Sequence, residues 1–160
     1  MQEIIDLLSN SDHYAKRASK IDVPAYRDLI NYKYESLQYE SAYRLLRMQR
    51  SDLTPSEAFM LLYHYVDFYD NSWFEHGPRF LDENNIKNNW LPEYIECSLC
   101  QSITIEEYLA KHAFDAEQDL FNFVDHSTTT CMLLVDFWNS RALFFATENE
   151  YVYYNWWTSA

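Results

Sequence analysis

The stretch Cys131–Trp157, CMLLVDFWNSRALFFATENEYVYYNWW, is the most apolar and aromatic part of the chain. Val, Leu, Phe, Tyr and Trp dominate it, with no Pro or Gly inside. Such residues, broken by short polar groups, predict strands joined by tight turns. Asn139-Ser140 serves as a two-residue turn, because Asn tolerates positive φ. That turn sets Phe137 opposite Ala142, Val135 opposite Phe144 and Leu133 opposite Ala146. Strand side chains alternate, so these six share one face. Trp138 beside Arg141, Asp136 beside Leu143 and Leu134 beside Phe145 make the other face, which is mixed. A second turn falls at Glu148-Asn149-Glu150. A three-residue loop puts Val152, Tyr154 and Trp156 on the core face, and a two-residue loop puts Tyr151 and Tyr153 there instead. The first is preferred. Two Trp residues close to residue 160 predict a docked terminal strand.

Working back from this three-stranded antiparallel meander, the chain reads as helical over about residues 1–124. Ile4, Ile5, Leu7 and Leu8 make Met1–Ser9 a short amphipathic helix. Ser11 or Asp12 caps a second helix to about Ser19. Pro24 suits the first turn of a long helix running to about Gln49. Its apolar stripe is Tyr26, Leu29, Ile30, Tyr34, Leu37, Ala42, Leu45 and Leu46. Thr54-Pro55-Ser56-Glu57 is a capping box, and it opens a helix over Pro55–Tyr69 that is apolar on most sides and therefore central. Residues 71–90 are irregular. Thr104–Glu107 is a second capping box, which predicts a helix over Ile105–Ala113 with Ile103 and Tyr108 as a hydrophobic staple. A further helix spans Ala116–Val124. The expectation is one α+β domain over residues 1–160, its N-terminal two-thirds helical and packed on the C-terminal meander.

Composition narrows the function. A chain of 160 residues can bury a normal core, and aromatics at 18% argue against disorder. There is one glycine, Gly77, which excludes a P-loop or dinucleotide fingerprint, since both need several. The opening MQEIIDLLSNSD has acids where a secretory signal has bases, and the three cysteines are an odd number. A cytoplasmic protein is expected, and no apolar run is long enough to span a membrane.

The net charge is −13, and it is uneven. Residues 1–50 hold seven acids and eight bases, while residues 51–160 hold eighteen acids and four bases, a net of −14. Such a field repels nucleic acid and anionic membrane and attracts basic proteins.

Several patterns bear on chemistry. Cys97-Ser98-Leu99-Cys100 is a lone C-x-x-C. His112 and His126 follow it at no recognised zinc spacing, so two partly buried thiols explain it as well. His64 and Asp67 lie one helical turn apart, with Asp70, Glu75 and His76 near in sequence; a carboxylate–histidine pair can do acid–base work or bind a metal. A helix-end hydrogen bond for His64 is the plain alternative. No glycine-flanked nucleophile turn is present. The strongest feature is the mixture of acids and aromatics over residues 67–96. Asp67, Asp70, Trp73, Glu75, Asp82, Glu83, Trp90, Glu93 and Glu96 can form an aromatic anchor ringed by carboxylates, suited to a basic partner.

In these features, namely the −14 segment, the acidic loop from Trp73 to Trp90, the scarcity of glycine and the lack of a catalytic motif, the chain resembles the small acidic immunity proteins of bacterial polymorphic-toxin and contact-dependent inhibition systems. The resemblance implies a cytoplasmic, non-enzymatic inhibitor without cofactor or metal. It would cover a basic toxin domain, often a nuclease, and touch no nucleic acid or membrane itself. Acidic nucleic-acid mimics that inhibit restriction or CRISPR nucleases resemble it for the same reasons, although the eight bases of residues 1–50 depart from that pattern. A small metal-dependent enzyme using His64 and His76, or Cys97 and Cys100, is the third expectation.

Overall fold

The computed structural model describes residues 1–37, 40–69, 83–87, 101–112 and 115–159. Its centre is a six-stranded, wholly antiparallel sheet rather than a three-stranded one. The strands are β1 (Ile30–Ser36), β2 (Ser41–Gln49), β3 (Gln101–Thr104), β4 (Thr130–Phe137), β5 (Ser140–Ala146) and β6 (Glu150–Thr158), in the order β1-β2-β6-β5-β4-β3. The C-terminal stretch supplies three of the six strands, and the expectation of a helical N-terminal two-thirds is overturned. The sheet takes two strands from the N-terminal third and one from the middle of the chain.

The correction is largest over residues 24–49. Pro24 does open a helical turn, but it is a 3-10 segment, Val23–Leu29, that ends where β1 begins. β1 and β2 then form a hairpin, with Glu40 at φ 55° in its turn. The presumed helical stripe has a different origin. Ala42, Leu46 and Met48 are buried on one face of β2, and Tyr43 and Leu45 on the other. A strand covered on both faces reads as a nearly continuous apolar run, without the alternation that marks a half-exposed strand.

Helices cover both faces. On the first lie α1 (Gln2–Leu8), α2 (Ser11–Ala18) and α3 (Pro55–Tyr69), packed on Leu46, Met48, Met132, Leu134, Phe144 and Tyr153. Asn10, rather than Ser11 or Asp12, caps α2, its side chain accepting from the His13 N–H at 3.1 Å. The Thr54 capping box forms as read. Glu57 N–H donates to Thr54 Oγ1 at 3.3 Å, and Thr54 N–H to Glu57 Oε2 at 2.8 Å. Ala58, Phe59, Met60, Leu61 and Leu62 of α3 are fully buried, and Phe59 meets Phe144 edge-on with centroids 5.4 Å apart. Burying one such large side chain stabilises the fold by about 1.5–3 kcal/mol before chain entropy is counted. A short helical turn, α4 (Glu83–Asn85), contacts α2.

The second face is covered by α5 (Ile105–Lys111) and α6 (Asp115–Leu120), over Cys131, Leu133, Leu143, Phe145, Val152 and Tyr154. The Thr104 capping box starts α5, with Glu107 N–H donating to Thr104 Oγ1 at 3.1 Å. α5 and α6 are both shorter than the spacing predicts.

Register differs from expectation in the β4–β5 hairpin. Phe137 pairs with Ser140 and Asp136 with Arg141, so the turn is Trp138-Asn139. A bulge between Leu133 and Val135 then changes the parity of β4. Leu133 belongs to the second core, Leu134 and Val135 both to the first, and Asp136 faces the second layer. An extra residue in one strand has this effect on every later side chain. Between β5 and β6 the connection is Glu148-Asn149, closed by Thr147 N–H to the Glu150 carbonyl at 2.8 Å. It is the two-residue loop, not the preferred three-residue one. Tyr151 and Tyr153 lie in the first core, and Val152, Tyr154 and Trp156 in the second.

Candidate functional site

The sequence-predicted acidic–aromatic set is not brought together by the described residues. Asp70, Trp73, Glu75, Asp82, Trp90, Glu93 and Glu96 lie outside them, as do His76, Cys97 and Cys100. Asp67 belongs to the last turns of α3, with its side chain outside the description. Glu83 is exposed at the start of α4. His64 is buried inside the first core, where its Nε2 lies 2.9 Å from Tyr14 Oη. Burial lowers its pKa to about 3, so it is a neutral core group closed to solvent. Cys131 is likewise buried, and its thiol is pushed up to about 12. Among the described residues no group of three or more His, Cys, Asp or Glu is placed to hold a metal ion.

Two adjoining hollows open on the second face, where α5 and α6 give out over β1 and β2. The larger, about 1030 Å³, lies between the 123–130 segment, the end of β2 and the β5–β6 turn. The smaller, about 530 Å³, lies between Lys33, Tyr43 and the 119–123 segment. Arg47 and Phe123 line both and form the ridge between them. The Arg47 guanidinium carbon lies 3.8 Å from the centre of the Phe123 ring, and Phe123 stacks on Phe145 at 16° between planes. A cation over an aromatic face is held by the ring quadrupole, which fixes this ridge.

The cations of the groove are already engaged. Arg47 donates from Nε and Nη2 to Glu150 Oε2, at 3.0 and 2.7 Å. Arg50 lies over the Tyr151 ring at 4.4 Å and donates from Nη2 to the Thr147 carbonyl at 2.8 Å. Lys33 is 3.7 Å from Glu35, whose carboxylate also accepts from Tyr43 Oη. The rim acids are different. Asp119, Asp125 and Glu148 are exposed and pair with no cation among the described residues. Asp125 accepts from the Ser127 hydroxyl and N–H at 2.7 and 2.9 Å, and these bonds hold its carboxyl below the usual range. The lining thus offers free carboxylates around an aromatic ridge. Among its described lining residues the acids Glu35, Asp119, Asp125, Glu148 and Glu150 outnumber the cations Lys33, Arg47 and Arg50, and those cations are engaged within the fold.

Behind the groove the same face is locked by a buried polar network. Glu117 Oε1 accepts from Arg141 Nη2 at 3.0 Å, from Tyr154 Oη at 2.5 Å and from Tyr108 Oη at 3.4 Å. Arg141 also lies over the Trp156 ring at 3.9 Å, and its Nη1 is 3.2 Å from His112 Nδ1. His112 Nε2 comes within 2.8 Å of Asp136 Oδ1, without the alignment of a hydrogen bond, and Asp136 is paired with Lys111. Burial raises the Glu117 pKa against the pull of Tyr154 and Arg141. Burial and the neighbouring Arg141 lower that of His112, with Asp136 opposing. The network ties α5 and α6 to β4, β5 and β6 and so positions the 119–123 wall of the groove.

Neither the groove nor the network was legible as a site, because Arg47, Phe123 and Glu148 come from three distant segments joined only by sheet topology. The one available signal was Phe123 beside Asp119 and Asp125. Compared with protein-family models, with curated proteins and with solved structures, the chain matches none.

Proposed function

We propose that this chain is a non-enzymatic inhibitor that binds a basic partner protein through its acidic surface, in the manner of an immunity protein covering a toxin domain. A nuclease is the favoured partner, because its own substrate demands a basic surface. One observation carries the reading: the cations of the acidic segment are spent within the fold. Of the four bases in residues 51–160, three are described, and each is bonded to a carboxylate: Lys87 to Asp12, Lys111 to Asp136 and Arg141 to Glu117. Each pairing takes up one acid with one base, so the excess of acids is unchanged, and these bases are no longer free to offset other carboxylates. Complementary charge of this kind steers encounter and selects the partner. The acid-rimmed groove supplies one concave, aromatic-floored part of the face, and the acids of residues 67–96 add to the field.

The test is capture from a lysate of the cells that make it, using tagged protein at low salt and elution at high salt. The expected result is a basic protein at stoichiometry, whose own enzymatic activity is suppressed when the captured pair is re-formed at one-to-one. A captured partner that stays fully active in the complex, or release of nothing by salt, contradicts the reading. No helix of the described residues is long and apolar enough to cross a membrane.

A further inference from the structure

We propose that one end of the sheet's first face is a glycan-binding ledge, which takes an extended, uncharged β-1,4-linked sugar chain laid across the strands. The strand registers align Ser36, Ala42, Trp157, Ser140 and Phe137 in one row over β1, β2, β6, β5 and β4. Directly paired residues share a face, and Ala42 and Trp157 have the parity of Leu46 and Tyr153, so the row lies on the first face. Tyr34 and Arg44 stand behind it, one row further in. The first core includes Leu46 and Tyr153 of the row beyond, whereas Tyr34, Trp157 and Phe137 lie outside both cores.

Exposed aromatic surface is concentrated here. Four large apolar side chains are exposed among the described residues, and three of them, Tyr34, Phe137 and Trp138, lie at this end, at 50%, 44% and 76%. Trp138 follows Phe137 in the β4–β5 turn. Contiguous exposed apolar surface of this kind marks a binding site. The Tyr34 and Trp157 ring centres are 6.2 Å apart, and the Arg44 guanidinium carbon lies 4.4 Å from the centre of the Trp157 ring. Only Ser140 stands between Trp157 and Phe137 in the row. Those two residues are therefore two strands apart, about 9–10 Å, over a low floor.

Charge selects the occupant. The whole chain carries −13, yet the row with Tyr34 and Arg44 holds no carboxylate and one cation, which is stacked on Trp157. A nucleic-acid strand needs a track of cations for its phosphates, and a basic segment needs carboxylates. An uncharged ligand with flat apolar faces needs neither. A pyranose with equatorial substituents presents axial C–H groups on its faces, and these pack on the electron-rich face of an aromatic ring. Its rim hydroxyls meet the hydroxyls of Ser36 and Ser140. In a β-1,4-linked chain every second sugar turns the same way, and that repeat is close to the interval between Trp157 and Phe137. The row crosses four strand intervals, about 19 Å, so its occupant is an oligomer. The proposal does not rest on the basic-partner reading, and salt separates them. Binding of an uncharged chain is indifferent to salt, whereas attraction to a basic partner weakens with it.

The experiment is calorimetric titration of the full chain with cellohexaose and chitohexaose, which share the linkage, and with maltohexaose, whose α-1,4 linkage curves the chain. At least one of the first two is expected to bind, equally at low and high salt. Its disaccharide is expected to bind at least about tenfold more weakly, because two sugars cannot stack on both Trp157 and Phe137. Phe137→Ala and Tyr34→Ala change exposed side chains, and each is expected to weaken the hexasaccharide about tenfold with unchanged circular dichroism. Trp157→Ala abolishes binding, and if that variant does not fold the two exposed positions decide. Glu148→Lys, on the rim of the groove, leaves binding unchanged. No binding of either β-1,4-linked hexasaccharide, equal binding of maltohexaose, or binding indifferent to Phe137→Ala and Tyr34→Ala overturns the proposal. Self-association in sedimentation, or binding to phosphatidylcholine vesicles, that is lost in the same variants without any response to the sugars also overturns it, and assigns the ledge to a protein or lipid surface.

Discussion

Glu117 of α6 and Arg141 of β5 form an ion pair at 3.0 Å with both side chains almost wholly excluded from water, at 1% and 6% exposure. A buried pair contributes little net stability relative to a well-packed apolar pair, but removing one partner strands the other charge. Glu117→Ala is therefore expected to destabilise by about 3–5 kcal/mol, read from the urea midpoint at constant slope. Glu117→Leu combined with Arg141→Met is expected to be much milder than the sum of the single changes. Additive losses in that double-mutant cycle would show that the two charges are not coupled.

His64 makes stability depend on acid. Its folded pKa, about 3, lies below its ordinary 6.5. The stabilisation is present above pH 6.5 and is lost as pH falls toward 3, by up to roughly 5 kcal/mol. His112 acts in the same sense, and Glu117, whose pKa is raised, in the opposite sense. His64→Gln is expected to flatten the pH dependence of unfolding between about pH 6.5 and 4. A variant whose urea midpoint falls with acid as steeply as that of the wild type would contradict the assignment.

The two capping boxes predict small local losses. Thr54→Ala and Thr104→Ala each remove the acceptor for an N–H of the first turn, and each is expected to cost about 0.5–2 kcal/mol. Hydrogen exchange should place the loss at the start of α3 or α5. A loss spread evenly over the sheet would argue against a capping origin.

These same boxes explain what was legible in the sequence. Thr54 and Thr104 announce helix starts because capping chemistry is local, involving residues three apart. β1 and β2 were misread because their neighbours are distant. Leu45 opposes Lys33 on one side and Tyr154 on the other, and only that pairing makes residues 41–49 a strand. The bulge at Leu134 leaves no mark that distinguishes it from its apolar neighbours, yet it turns Asp136 toward Lys111 and His112. The acidic character of the surface was readable from composition. Its aromatic-floored groove was not, since Arg47 reaches Phe123 only after β2 docks beside β6.

Charge reversal at the groove rim separates binding from folding. Asp119→Lys and Glu148→Lys change exposed residues and are expected to leave stability within about 0.5 kcal/mol of wild type. They are expected to slow association with the basic partner and to reduce its dependence on salt. Glu75→Lys, Asp82→Lys and Glu83→Lys apply the same test to the segment read from sequence as an acidic anchor. Unchanged association in the two groove variants together with slowed association in the three others would move the binding face from the groove to that segment.

The most direct measurement is the association rate constant with the captured basic partner, followed by stopped flow as salt is raised. Screening shortens the reach of charge from about 30 Å at 0.01 M to about 3 Å at 1 M. The account predicts a rate that falls by at least about tenfold over that range while dissociation changes less. A rate constant independent of salt would contradict recognition through the acidic surface.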